Sequence, residues 1–78
     1  MEFRDLKYFK KLVETKNYNE TAQYFGVTQP AISSMVKRLE KEIGTKLLFQ
    51  NSNRGKIIVS PAGKVVYTNA KNLITKEN

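Results

Sequence analysis

The chain has 78 residues, no cysteine, no histidine and a formal net charge of +7. At this length it makes one small domain that buries roughly 60–65% of its unfolded surface, which leaves little room for a catalytic cavity. Without cysteine and histidine there is no disulfide, no thiolate zinc site, no imidazole metal ligand and no imidazole base. An enzyme is therefore disfavoured, and no catalytic residue, metal or cofactor is expected.

Leu6, Phe9, Leu12 and Val13 recur at helical spacing, with Glu2 and Asp5 near the start and Lys16 near the end, where those charges suit the helix dipole. A first helix is predicted from about Phe3 to Thr15. Asn17-Tyr18-Asn19 breaks it, and Asn19 is expected to cap a short second helix that ends near Phe25. The sequon Asn19-Glu20-Thr21 is thus read as a cap, not a glycosylation site. Thr28 caps a third helix with Pro30 in its first turn, where a missing N–H costs nothing. Ile32, Met35, Val36, Leu39 and Ile43 form its apolar stripe, and Gly44 supplies a left-handed stop. Leu47-Leu48-Phe49 and Lys56-Ile57-Ile58-Val59, separated by a polar turn from Asn51 to Gly55, read as a β-hairpin. Ser60-Pro61 opens a last helix whose Val65, Val66, Ala70, Leu73 and Ile74 make a broad apolar face. That helix carries no C-cap, and a longer natural protein is expected to continue it.

The spacing of Ala22, Gly26, Ile32, Met35 and Val36 is that of two helices crossing steeply. Ala22 permits close approach, Gly26 takes the turn, and Ile32, Met35 and Val36 face inward. This is a helix-turn-helix, whose second helix, about Gln29–Ile43, presents a reading face to the DNA major groove. The other side of that helix then carries Gln29, Pro30, Ser33, Ser34 and Lys37. Gln29 can pair bidentately with adenine, the two serines can bond to base edges or phosphates, and Pro30 can touch a thymine methyl. Thr28 and the free N–H groups of the first turn suit a phosphate. Lys37 and Arg38 are expected to clamp backbone, and Arg54 and Lys56 in the hairpin wing to reach the minor groove or its flanking phosphates.

Blander readings exist for each residue. Thr28 serves as a cap whatever else it does, Gln29-Pro30 is ordinary helix-start chemistry, and Lys37-Arg38 taken alone is a solvated face. Ser34-Met35-Val36-Lys37 matches an SxxK nucleophile string, but without the partner motifs it is a chance match. Charge distribution favours the functional reading. Met1 to Val36 holds five basic and four acidic residues, whereas Lys37 to Asn78 holds nine basic and three acidic. A polyanion is the implied partner, nucleic acid before an anionic membrane surface. No segment is apolar enough to span a membrane, and the charged start lacks the apolar run of a signal peptide, so a cytoplasmic location is expected.

With those elements in place, the chain resembles the DNA-binding domain of LysR-type transcriptional regulators over essentially its whole length. The resemblance is carried by Leu6-Lys7-Tyr8-Phe9, by Tyr18-Asn19-Glu20-Thr21-Ala22 (with Thr21 where an alanine is usual), and by Val27 to Ser33. Leu39-Glu40 to Gly44 and Ser60-Pro61-Ala62-Gly63 extend it. It implies a mainly α, winged helix-turn-helix fold: three helices, a β-hairpin wing and a C-terminal linker helix. Residues 1–59 would be the DNA-binding domain and 60–78 the start of a linker and dimerisation helix. It further implies double-stranded DNA contacts at Thr28, Gln29, Pro30 and Ser33, and a homodimer on an interrupted inverted repeat with an A·T-rich core. A small-molecule co-inducer would bind only a C-terminal domain outside this chain. Besides Thr21, the chain departs from the family at two further places. Ser34 is shorter than the usual long polar or basic residue, and Gln50 and Asn51 stand where an arginine precedes the wing. The rival readings are a winged helix of another DNA-binding family and a winged helix used for protein–protein contact.

Overall fold

The computed structural model describes residues 2–51 and 56–77. The elements run α1 (Phe3–Thr15), α2 (Tyr18–Phe25), α3 (Gln29–Ile43), β1 (Leu48–Asn51), β2 (Lys56–Val59) and α4 (Pro61–Glu77). Local chemistry sets most of their ends. The Thr28 hydroxyl accepts from the Ala31 N–H at 3.3 Å, with Pro30 in the first turn. Gly44 closes α3 at φ +84° and Gly26 closes α2 at φ +68°, left-handed angles that cost glycine little. Ser60 caps α4, accepting from the Gly63 N–H at 2.9 Å.

The α1–α2 junction differs from the sequence expectation. Asn17, not Asn19, is the cap: its Oδ1 accepts from the Glu20 N–H at 2.8 Å, while Asn19 lies inside the first turn of α2. The reason lies just upstream. Lys16 takes a left-handed conformation at φ 54°, which turns the chain one step earlier. The buried Thr21 hydroxyl then donates to the Asn17 carbonyl at 2.9 Å and meets the Thr15 hydroxyl at 2.7 Å. Thr21, where the family usually has alanine, thereby serves as a polar fastener between α1 and α2.

The core is made by Phe9 and Leu12 of α1, Ala22 of α2, Ile32, Met35, Val36 and Leu39 of α3, and Leu47, Leu48 and Ile57 of the wing base. Each large side chain buried there contributes about 1.5–3 kcal/mol. Ala22 is small where α2 crosses α3, and the Tyr8 and Phe25 rings, 4.6 Å apart, fill the α1–α2 seam. Ile43, placed by spacing on the same stripe, is exposed at the last residue of the helix, where Gly44 turns the chain away.

The wing is a two-stranded antiparallel hairpin in which Leu48 faces Val59, Phe49 faces Ile58 and Gln50 faces Ile57. Leu48 and Ile57 point into the core; Phe49 and Ile58 lie on the outer face. Leu47, predicted within the strand, sits just before it and is wholly buried. Among the described residues no helix is long and apolar enough to cross a membrane.

The last helix divides its apolar residues. Ala70 is buried against α1, with Val66 and Tyr67 partly buried beside it, whereas Val65 is 61% exposed and Leu73 49%. The Tyr67 hydroxyl donates to Glu14 Oε2 at 3.0 Å, and Lys10 pairs with the same oxygen at 2.9 Å. Burial opposes ionisation of Glu14, but these hydrogen bonds and the charges of Lys10 and Lys11 outweigh it and hold the carboxyl below its usual value. The same contact raises the Tyr67 phenol.

Candidate nucleic-acid interface

Burying Ile32, Met35, Val36 and Leu39 fixes the rotation of α3 and turns its opposite side to solvent. Gln29, Pro30, Ser34 and Lys37 are exposed there, and Ser33 is half-buried beside them. The four together span the first two and a half turns, which is the part of a reading helix that meets base edges. Thr28 stands at the N-terminal tip, where the helix dipole favours an anion, although Pro30 has no N–H and the Ala31 N–H is taken up by Thr28.

Two adjoining clefts run alongside this face. One, of about 300 Å³, lies between the start of α2 and the wing and is lined by Asn17, Tyr18, Asn19, Gln29 and Gln50. The other, of about 150 Å³, continues along α3 past Ser33 and Lys37 to Lys46 and Gln50. Tyr18 and Gln50 line both. Burial, and after it the charge of Glu40, pushes the Tyr18 phenol up, so it remains a neutral hydroxyl at physiological pH.

The sequence reading did not single out Tyr18, Lys46 or Gln50 for this face. Gln50 arrives through the hairpin register, which puts it on the same strand face as Leu48, and Lys46 through the path from α3 to β1. The period of two in β1, and the place of Gln50 where the resembling family has an arginine, are the signals that pointed to it.

Arg38 does not join the face as an unpaired cation. Its Nη2 donates to Oδ1 of Asp5 at 2.9 Å, joining α3 to the first turn of α1. Asp5 is only 1% exposed and Arg38 48%, and Asp5 Oδ2 has no hydrogen-bond partner among the described residues. Asp5, in the first turn of α1 where its charge is expected to suit the helix dipole, is also buried and held by Arg38. Of the wing residues, Arg54 lies outside the described residues, and for Lys56 only the strand backbone, paired with Asn51, is described.

The chain matches the family described as "Bacterial regulatory helix-turn-helix protein, lysR family" over residues 3–64, from the start of α1 into α4. It is 40% identical over 70 residues to the HTH-type transcriptional regulator BudR of Raoultella terrigena, an alignment covering 90% of this chain and 23% of that protein. It is 38% identical over 74 residues to the nitrogen assimilation regulatory protein nac of Escherichia coli (strain K12), covering 95% of this chain and 24% of that protein. The chain therefore spans about a quarter of the length of these relatives. Among solved structures it superimposes on the protein of "Crystal structure of CbnR_DBD-DNA complex" with a TM-score of 0.89 and 31% identity, covering 99% of this chain and 86% of that one. With the match running over residues 3–64 of its 78, the chain belongs to the lysR family of bacterial regulatory helix-turn-helix proteins.

Proposed function

We propose that this chain binds double-stranded DNA sequence-specifically, as a homodimer on an inverted repeat with an A·T-rich core. The observation that carries the reading is the outward face of α3, bare, polar and small at the end of the helix that enters a major groove. The 31% identity to CbnR_DBD, a protein in complex with DNA, supports it. Gln29 pairs with an adenine, Ser33 and Ser34 bond to base edges, and Pro30 meets a thymine methyl. Thr28 and Lys37 hold phosphates, and Arg54 and Lys56 carry the wing to the minor groove or its backbone. Arg38 acts mainly through Asp5, fixing the pose of α3. Residues 1–59 form the reading module and 60–78 the start of a linker helix, whose Val65 and Leu73 are the apolar surface offered to a second copy. The role is binding rather than catalysis, in the cytoplasm where the DNA lies. In the longer protein a further domain would take a small-molecule co-inducer and make the module part of a transcriptional regulator.

Selection of bound sequences from a random duplex pool tests this reading, with an inverted repeat expected among the winners. Equal affinity for the selected duplex and a random one at physiological salt overturns it. Replacing Gln29 or Ser33 with alanine is expected to cost roughly 1–3 kcal/mol at one base position. Replacing Lys37 or Arg54 is expected to weaken all sequences alike and flatten the salt dependence.

A further inference from the structure

The segment Lys46–Leu48, which leads from α3 into β1, is gripped from two sides. From α3, the single oxygen Oε2 of Glu40 accepts the N–H of Leu47 at 2.9 Å and that of Leu48 at 3.3 Å. From the start of α4, the Ser60 hydroxyl donates to the Lys46 carbonyl at 2.6 Å, and the Ser60 N–H donates to the Leu47 carbonyl at 2.9 Å. The same hydroxyl accepts from Gly63, so the grip extends into the first turn of α4. Gly63 itself is pressed against the segment. A Cβ there would overlap the Leu47 carbonyl oxygen and lie 2.8 Å from Val59 Cγ1. The reading helix, the wing and the pairing helix thus meet at one three-residue strap, with the Leu47 side chain wholly buried beneath it.

Glu40 is an unexpected residue for this place. It lines the same cleft as Ser33, Lys37 and Gln50, where an uncommitted carboxylate would repel phosphate. Its charge is engaged instead by two backbone N–H groups, bonds stronger than those between neutral partners.

We infer that Glu40, through this strap, fixes the angle between α3 and α4, and so sets the separation of half-sites that the dimer accepts. The inference rests on the dimeric DNA reading proposed above. Each added base pair moves one half-site by about 3.4 Å and turns it by roughly 35° about the duplex axis. Two reading helices rigidly joined to a paired α4 cannot follow that step; a loosened strap lets them. Glu40 is therefore a positioning residue that needs no contact with a base.

The test is a competition series of duplexes carrying the selected half-sites at separations changed by one base pair at a time. The unaltered chain is expected to prefer one separation sharply. Glu40→Ala is expected to flatten that preference several-fold while base preference inside each half-site stays the same. Glu40→Gln, which keeps an acceptor oxygen, is expected to restore most of it. If thermal melting finds Glu40→Ala unfolded, Glu40→Asp carries the same expectation, since its shorter side chain withdraws the acceptor. A folded Ala or Asp variant that binds more weakly at every separation, with the preference still sharp, overturns the inference and leaves Glu40 a stability role alone. An unaltered chain indifferent to separation overturns the dimer reading instead, and the inference with it.

Discussion

Helices α3 and α4 are both amphipathic, yet they finish their apolar faces differently. Apart from Ile43 at its end, α3 buries its whole stripe inside one chain and shows solvent a polar face. Helix α4 covers Ala70 and partly Val66, and leaves Val65 and Leu73 bare. The difference separates two kinds of recognition. A helix completed within the monomer presents hydrogen-bonding groups on a rigid support, as base reading requires. A helix left incomplete presents apolar surface, which drives association through burial.

The sharpest way to break this contrast is to attack the inner face of α3. Ile32→Ala is expected to cost about 2–5 kcal/mol by denaturant unfolding, with binding lost on every sequence because the support itself fails. Next comes the pose of α3. Arg38→Met strands the buried carboxylate of Asp5, with an expected loss of about 1–3 kcal/mol in stability. An Arg38 that served only phosphate would leave the melting temperature unchanged and lower affinity alone. On α4 the contrast predicts the reverse pattern. Leu73→Asp should alter monomer stability by no more than about 0.5 kcal/mol, yet abolish the dimer in sedimentation and reduce inverted-repeat affinity to that of a single half-site. A dimer that survives would move the association surface elsewhere.

The smallest effect concerns how α4 is held to α1. The carboxyl of Glu14 is held below its ordinary value, so its contribution is present at neutral pH and is lost as pH falls below 4.5 through the folded-state value. As half of an i,i+4 surface pair in the last turn of α1 it is worth about 0.3–0.5 kcal/mol. Glu14→Gln should therefore melt slightly below the unaltered chain at pH 7, and the two curves should converge in acid. A gap that widens in acid would reverse the sign and the assignment.

Local signals carried far in the sequence. Thr28 with Pro30, Gly44, and Ser60 with Pro61 mark helix ends through bonds made within four residues, and each lies where that chemistry places it. At the start of α2 the same logic picks Asn19, and Asn17 caps instead. The choice depended on the left-handed turn at Lys16 and on Thr15 meeting Thr21 across the junction. The reading face was legible for a related reason: once the apolar stripe of α3 is known, helical geometry assigns Gln29, Pro30, Ser34 and Lys37 to the other side. The long-range partners were not. Asp5 and Arg38 lie 33 residues apart, and no periodicity in either helix announces their pairing.

Sequence alone determined the kind of molecule this is: the helix ends other than the start of α2, the crossing of α2 and α3, the concentration of positive charge beyond Val36, and the family. Those features follow from short-range sterics, hydrogen bonding and periodicity, which a linear string records directly. Only the tertiary structure decided which charges remain available and which are committed to the fold. It buried Asp5 and thereby claimed Arg38, turned Glu40 from the reading face to the strap, brought Tyr18 and Gln50 beside Gln29, and divided α4 into a covered and an uncovered side. Such choices depend on where distant surfaces meet, and packing settles them because a polar group removed from water must find its partner wherever the fold has placed one.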